Sequence, residues 1–382
     1  MAPLDIAFLP DWRREVADVA DTLRAVQKVD ASPVRVVGGG RLPQPWLRLG
    51  QRAVVVVSDG TEVPARTARL VVRLWWNGAD EVLAHQRTLR SSCDELHVCF
   101  FADVANELHA AGVDAVLAPY AFAPPGPAVA RASRRDPLVG YTGEVDISDS
   151  CFDRDELAAR AGRTVSELGR MASALAITVV AGERTLIEVN RELAACDEFP
   201  DELVRTLRWA VRNRVRHELM TALVTAFPGV VRLRGDDWHR LGFAAGPTSF
   251  NRRQRLRDYK TYRVCLDLGS KSTEAVLYPR SAEIMALAGG IAQFDSGCDP
   301  DSRVATLARR RSASAAGLVA IVERLLATPD DELADENLRL QSEYVALRLD
   351  VGRSLLRAID ERAKSSGPPQ LRPSGRSSHS TS

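Results

Sequence analysis

The chain has 382 residues, which is long enough for two domains with separate hydrophobic cores. Its 51 basic and 50 acidic residues give a formal net charge of +1, so composition offers no reason to expect nucleic acid or an acidic membrane surface as a partner. The six cysteines form no CxxC pair, which argues against a disulfide framework and a zinc site, and no apolar run reaches the ~18–20 residues of a transmembrane helix. No signal peptide is recognisable, so we expect a cytoplasmic protein.

The first third of the chain alternates strand and helix patterns, which predicts an α/β domain over residues 1–122. Helices are predicted at 12–29 and 102–111, with a further helix around His85, and strands at 5–10, 34–37, 53–57, 70–76, 95–101 and 113–117. The continuous valine run at 53–57 is typical of a parallel strand that is buried on both faces. Residues 123–136 have the Pro, Gly and Arg composition of a linker.

The second domain is predicted over residues 137–330. A strand at 137–143 ends in a turn with Gly140 and Gly143, and further strands are predicted at 175–180 and 230–233. Long helices are predicted at 201–227, 301–326 and 338–363. The Ser-, Pro- and Gly-rich tail at 364–382 has no apolar face, so we expect it to be disordered.

A βαβ unit at 264–294 organises this second domain. Val264, Leu266 and Leu268 alternate as in a strand, and Pro279 suits the first turn of a helix because its missing N–H costs nothing there. A second strand follows at 291–294. Polar residues therefore gather at the carboxyl end of the first strand, which is where open parallel sheets bind ligands.

The polar residues of this unit indicate an anion-binding site. A helix N-terminus presents free N–H groups, and Lys271 and Arg280 add positive charge on either side of the loop. Glu283 lies one turn into the helix, where a carboxylate can accept the hydroxyl groups of a ribose. Spacing alone supports equally well a surface ion pair between Arg280 and Glu283 that caps an ordinary helix.

The same helix carries a family resemblance. The segment with Pro279, Arg280, Glu283, Ala286, Ala288 and Gly289 resembles the donor-site motif of the CgeB-like group of GT-B glycosyltransferases, whose pattern is roughly P-x-R-x-x-E-x-x-A-x-G-G. The chain departs from this group at Ala288, where glycine is usual, and its upstream glutamate Glu274 is one residue too far away for the E-x7-E spacing of the superfamily. Residues 234–239 resemble the G-x-x-W element of the group, and the likeness covers residues 90–300.

The resemblance implies two Rossmann-like domains that face a cleft, with the acceptor on the first domain and a nucleotide-diphosphate sugar on the second. The helix at 338–363 is then a candidate for crossing back to the first domain. The implied reaction is transfer of a sugar to an unknown acceptor, without a metal ion and without a cofactor other than the donor itself. The implied donor site comprises Gly140, Gly143, Gly269, Ser270, Lys271, Arg280, Ser281 and Glu283.

No catalytic base can be chosen from the sequence. There is no G-x-S-x-G or H-E-x-x-H motif, and His97, His109 and His239 are candidates for acid–base work that fit structural roles equally well. The D-x-D spelling at Asp153 and Asp155 opens a predicted helix, so we interpret it as a helix cap rather than a metal site. A non-catalytic GT-B-like protein that binds a nucleotide or a partner, and a nucleotide-sugar epimerase, remain alternatives.

Overall fold

The computed structural model describes residues 5–8, 14–30, 35–37, 53–58, 69–75, 94–126, 136–153, 156–247, 252–269, 277–297 and 302–365. The chain divides into two compact units. The first comprises Met1–Cys99, Ala105–Ala118 and Gly352–Ser382, and the second comprises Phe100–Val104 and Pro119–Val351.

The first unit is built on a parallel sheet of six strands in the order β2-β1-β3-β4-β5-β6. Its strands are β1 (Asp5–Phe8), β2 (Arg35–Val37), β3 (Ala53–Ser58), β4 (Leu70–Trp75), β5 (Asp94–Cys99) and β6 (Ala115–Leu117), and its described helices are α1 (Arg14–Asp30) and α2 (Ala102–Ala110). Val54, Val71 and Val98 are buried in adjacent strands, as the valine-rich patterns predict. Helix α1 buries the apolar stripe Val16, Val19, Ala20, Leu23 and Val26.

The second unit also contains a parallel sheet of six strands, in the order β12-β11-β10-β7-β8-β9. Its strands are β7 (Asp136–Thr142), β8 (Val231–Arg234), β9 (Ala245–Gly246), β10 (Tyr262–Asp267), β11 (Ile291–Phe294) and β12 (Arg311–Ser312). The described helices are α3 (Leu157–Arg160), α4 (Val165–Ala181), α5 (Leu186–Ala194), α6 (Asp201–Ala226), α7 (Arg252–Thr261), α8 (Pro279–Ala286), α9 (Ala305–Ala308), α10 (Ala315–Ala327) and α11 (Asp330–Ser365), of which the part from Gly352 onward belongs to the first unit. Three 3₁₀ helices span Asp149–Phe152, Trp238–Leu241 and Ser302–Val304.

The predicted βαβ unit is confirmed. Strand β10 is followed by α8, whose first residue is Pro279, and by β11, whose bounds Ile291–Phe294 match the prediction. Leu266 pairs with Ala292 in a parallel register. With two parallel sheets and helices between their strands, the α/β class and the two Rossmann-type sheets are confirmed as well.

The strand predicted at 175–180 is wrong, since these residues belong to α4. The β-branched run there favours a strand locally, but two longer-range features favour a helix. Thr164 and Glu167 form a reciprocal capping box at the helix start. Leu168, Ala172, Ala176 and Val179 then lie buried at helical spacing, so burial of one helix face overrides local strand propensity.

The single helix predicted at 301–326 is also wrong. The chain forms α9, then the short strand β12, and then α10, because Arg311 and Ser312 pair with Gln293 and Phe294 as the sixth strand of the sheet. Ser314 caps α10 by accepting a hydrogen bond from the Gly317 N–H. The last helix begins earlier than predicted, with the acidic residues Asp330, Asp331 and Glu332 in its first turn.

Several predictions lie outside the described residues: the helix around His85, most of the linker, and the tail beyond Ser365. Within the described ranges, no helix is both long enough and apolar enough to cross a membrane.

Candidate functional site

The second sheet changes direction between β7 and β10. From β7 the chain continues to β8 and β9 on one side, and then crosses to β10, β11 and β12 on the other side. Ligands of open parallel sheets bind in the crevice outside the carboxyl ends of the strands at such a point. The relevant residues therefore follow Thr142 and Asp267, which end β7 and β10.

Asp267 is fully buried at this edge and receives hydrogen bonds from several donors. Its Oδ1 accepts from Arg280 Nη1 and from the Gly269 N–H, both at 3.1 Å. Its Oδ2 accepts from the Ser281 hydroxyl and, at 3.4 Å, from Gln293 Nε2. The carboxylate is thus satisfied by donors from the loop, from the start of α8 and from the neighbouring strand.

Arg280 lies in the first turn of α8 and links this carboxylate to β7. Its Cζ is 4.9 Å from the centroid of the Tyr141 ring, which is close enough for a cation–π contact. Burial alone lowers the pKa of Arg280, but the Tyr141 hydroxyl and the Asp267 carboxylate outweigh burial and raise the pKa above its ordinary value. The guanidinium is therefore a fixed positive charge at the carboxyl edge of the sheet.

Glu283 is buried, and both of its oxygens accept hydrogen bonds from α7. Arg252 Nε donates to Oε1 at 3.0 Å, and Arg255 donates to both oxygens at 2.8 and 2.9 Å. The predicted surface pair between Arg280 and Glu283 is therefore wrong, because each side chain has a partner distant in sequence. Spacing of i,i+3 places two side chains on one helix face but does not decide which other elements pack there.

The glycines predicted at the donor site have identifiable neighbours. A Cβ on Gly140 would lie 1.9 Å from the Tyr262 ring, so Gly140 permits close packing of β7 against β10. A Cβ on Gly143 would lie 2.6 Å from the Tyr141 hydroxyl and 2.9 Å from Arg280 Nη2. Gly269 has a φ of +76° and starts the loop after β10. Structure therefore places Gly143, Gly269, Arg280 and Ser281 at one edge, whereas Ser270 and Lys271 lie outside the described residues.

Sequence reasoning missed Arg216, which reaches this edge from helix α6. It is buried, with Nη2 2.5 Å from the carbonyl oxygen of Gly269 and Nη1 3.1 Å from that of Glu144. Arg212, one turn earlier, lines a small cavity together with Gly269, Tyr278 and Ser296. The available signal was the arginine series 212, 214 and 216 in the middle of a long helix, where successive positions on both sides of the helix are buried.

The three candidate histidines have different surroundings. His97 is buried in β5, where its Nδ1 accepts a hydrogen bond from the Trp75 indole at 2.9 Å and its Nε2 lies 3.6 Å from Glu95 Oε2. His109 Nε2 lies 2.8 Å from the Ala115 carbonyl oxygen. His239 is exposed in the 3₁₀ helix Trp238–Leu241, next to the buried Trp238. Both nitrogens of His97 face protein groups, which favours a structural role for it.

The predicted helix cap at Asp153 is wrong, and Asp155, the other residue of that prediction, lies outside the described residues. Asp153 follows the 3₁₀ helix Asp149–Phe152 as its C-terminal cap, while Glu156, with a φ of 55°, precedes α3 and makes no side-chain capping bond. In the described part of the chain, no cluster of three or more His, Cys, Asp or Glu side chains is arranged to hold a metal ion.

Ala288 shows why glycine is usual at its position in the resembled motif. It has a φ of +51°, in the left-handed region that favours glycine, just after the end of α8. An alanine in this conformation incurs a steric cost that a glycine would not.

No protein-family model matches the chain, and no curated protein sequence matches it significantly. Among solved structures, it is similar to the UDP-forming α,α-trehalose-phosphate synthase of Burkholderia vietnamiensis, with 12% identity over 94% of this chain and 81% of that chain and a TM-score of 0.37. The corresponding enzyme of Burkholderia xenovorans, in complex with glucose-6-phosphate, has 10% identity over 92% and 80% of the two chains and a TM-score of 0.40. A spinosyn rhamnosyltransferase has 12% identity over 94% and 100% and a TM-score of 0.32. Likeness at this distance transfers no activity to the chain.

Proposed function

We propose that the second unit binds a nucleotide-diphosphate sugar and that the protein transfers the sugar to an acceptor. The observation that carries this proposal is the gathering of Asp267, Arg280 and Ser281 at the direction change between β7 and β10. An open parallel sheet binds nucleotides at this place, because the helix N-termini and loop N–H groups there suit phosphate.

In the proposed reaction, the bond between the anomeric carbon and the diphosphate oxygen breaks, and the bond electrons leave with the diphosphate. The first turn of α8 and the Arg280 guanidinium, with Lys271 from the adjoining loop, supply positive charge where the negative charge develops. An acceptor hydroxyl then forms the new bond to the anomeric carbon and loses its proton to a base.

Motif resemblance supports the finer parts of the proposal. Arg280 and Glu283 keep the R-x-x-E spacing of the CgeB-like donor-site pattern, and Ala288, which stands where glycine is usual, has a left-handed backbone that favours glycine. The same proposal includes a GT-B-like arrangement of two domains around a cleft, activity without a metal ion, and a cytoplasmic location. It also includes binding of the ribose by Glu283. Binding of a ribose by Glu283 requires Arg252 and Arg255 to yield at least part of its carboxylate.

That requirement also favours a second candidate, a non-catalytic member of the same fold. The carboxylate of Glu283 is saturated by two arginines, which suits a structural role as well as a site awaiting ligand. A non-catalytic protein would bind a nucleotide without turning over a nucleotide sugar, whereas an epimerase would turn it over without any acceptor.

The experiment compares melting temperatures with nucleosides, nucleoside monophosphates, nucleoside diphosphates and nucleotide sugars, followed by assays for release of the nucleoside diphosphate. A ligand at about 100 times its Kd adds about 2.7 kcal/mol to the free energy of unfolding, which a melting curve detects. We expect nucleoside diphosphates to stabilise the protein more than nucleosides do.

Two variants connect this binding to the site. Glu283→Gln should weaken nucleotide binding at least tenfold by removing charge-assisted hydrogen bonds of about 1.5–3 kcal/mol each. Arg280→Lys should weaken the binding of nucleoside diphosphates more than that of nucleosides, because lysine keeps the charge but lacks the planar guanidinium group that can donate two parallel hydrogen bonds. Glu202→Gln, which changes a partly exposed carboxylate of α6, is the control. Equal affinity of the wild type and both site variants for every nucleotide tried would refute the donor site.

A further inference from the structure

Two buried polar atoms at the carboxyl edge of the second sheet lack a hydrogen-bond partner among the described residues. One is the Tyr141 hydroxyl near the end of β7, on a side chain that is 1% exposed. The other is Nε of Arg216 on α6, in a residue that is 3% exposed. Buried hydroxyl and guanidinium groups are normally satisfied, so two unsatisfied donors at one edge indicate a missing acceptor.

Arg216 also lacks a counter-ion in the described part of the chain. Its other nitrogens donate to the carbonyl oxygens of Glu144 and Gly269, which carry no net charge. Burial lowers the pKa of Arg216, and the nearby Arg280 adds to this effect, while Tyr141 and Asp267 oppose it. A buried cation is costly unless it is paired, so a ligand that supplies negative charge would be favoured here.

Arg280 and Tyr141 pack together against Gly143. The guanidinium lies over the Tyr141 ring, and the Tyr141 hydroxyl and Arg280 Nη2 both lie within 3 Å of the point where a Cβ on Gly143 would stand. Because Gly143 has no side chain, both polar groups can lie directly beside its backbone. Asp267 does not oppose an anion there as a free carboxylate would, since Arg280, Ser281, Gly269 and Gln293 all donate to it.

We propose that Tyr141 Oη, Arg216 Nε and the Arg280 guanidinium bind one phosphate group of the ligand at the carboxyl edge of β7 and β10. A phenol hydroxyl can donate a hydrogen bond and a guanidinium group can only donate, whereas a phosphate offers several acceptor oxygens with negative charge. The identity of the ligand as a nucleoside diphosphate rests on the proposed function. The inference adds Tyr141 and Arg216 to the binding residues and assigns a ligand-binding role to helix α6.

The test measures binding of inorganic pyrophosphate by isothermal titration calorimetry at constant ionic strength. Tyr141→Phe removes only the hydroxyl oxygen and keeps the ring under Arg280, so the protein should fold normally. Arg216→Gln removes the buried charge, and Arg205→Gln makes the same change at an exposed position of α6. We expect Tyr141→Phe and Arg216→Gln each to weaken pyrophosphate binding at least tenfold, and Arg205→Gln to leave it within twofold of the wild type.

Undiminished pyrophosphate binding by folded Tyr141→Phe would overturn the inference, as would the absence of pyrophosphate binding to the wild type. If Arg216→Gln does not fold, the pyrophosphate affinity of Tyr141→Phe relative to the wild type still tests the inference. Failure of the proposed function gives a different pattern. Loss of pyrophosphate binding in the variants, with no turnover of any nucleotide sugar by the wild type, supports the phosphate site and contradicts the transferase. Turnover that is unchanged in both variants supports the transferase and overturns the phosphate site.

Discussion

Arg280 donates a hydrogen bond to Asp267, 13 residues before it, across 3.1 Å. The nearer carboxylate in sequence, Glu283, is held instead by Arg252 and Arg255. The charge at the start of α8 is therefore fixed by the last residue of β10, and the helix and the strand are coupled at the edge where the ligand is proposed to bind.

Asp267→Asn should destabilise the protein strongly. The substitution removes the negative charge that compensates the Arg280 guanidinium, and it replaces one acceptor oxygen by an NH2 donor that faces other donors, Ser281 among them. Breaking a buried pair in this way costs about 3–5 kcal/mol of unfolding free energy, which urea titration followed by circular dichroism can measure. Asp237→Asn is the control, because Asp237 pairs with Arg240 at the surface and such pairs contribute about 0–1 kcal/mol. A loss below 1 kcal/mol for Asp267→Asn would show that this ion pair is not needed for stability.

Gly140→Ala should destabilise the second unit by about 1–3 kcal/mol or more, since the added methyl group would overlap the Tyr262 ring. Gly246→Ala is a matched control in β9, where the nearest atoms to a Cβ are 3.8 Å away. Thermal and urea unfolding of the two variants give the comparison. Equal stability of both would mean that Gly140 is retained for a reason other than packing.

Because of His97, the free energy of unfolding should fall as the pH is lowered. Burial lowers the pKa of His97; Glu95 opposes this effect and Arg73 adds to it. The folded protein therefore keeps His97 neutral while the unfolded chain, with a pKa of about 6.5, takes up a proton. The free energy of unfolding should drop as pH falls below about 6.5, by up to about 1.4 kcal/mol per pH unit, until the folded pKa is reached.

Urea titrations between pH 7.5 and 5 test this dependence. His97→Gln keeps an acceptor for the Trp75 indole and should flatten the pH dependence in this range. His239→Gln, at an exposed histidine, should leave it unchanged. If the free energy of unfolding of His97→Gln depends on pH as steeply as that of the wild type, groups other than His97 cause the pH dependence.

Glycosyl transfer, once a donor and acceptor pair is found, should survive chelation by EDTA. In the proposed reaction, Arg280 and the start of α8 supply the positive charge that a metal ion supplies elsewhere. Turnover measured with EDTA and then with added Mn²⁺ or Mg²⁺ checks this expectation. Loss of turnover in EDTA that either ion restores would overturn the proposed metal independence.

Local sequence patterns determined much of the fold. Strand β10, helix α8 and strand β11 follow from alternating apolar residues, from Pro279 at the helix start and from the apolar run at 291–294. These signals act over a few residues, so they can be seen without knowing what packs against them. The same holds for α6, whose length and apolar spacing predicted it at 201–227 against the observed Asp201–Ala226.

Tertiary structure decided which side chains meet at the candidate site. Arg216 reaches the carbonyl oxygen of Gly269 across 53 residues, and Arg255 reaches Glu283 across 28. Such partners are set by sheet order and helix packing, which no spacing within one element can specify. Residues 175–180 show the same limit, because their local β propensity yields to the capping box at Thr164 and to burial of one face of α4. The sequence thus determined the helices and strands, whereas the packing of distant elements decided the partner of each charged group. The reason is physical: a charge is buried only in the folded protein, and only there does it need a partner to offset the free-energy cost of burial.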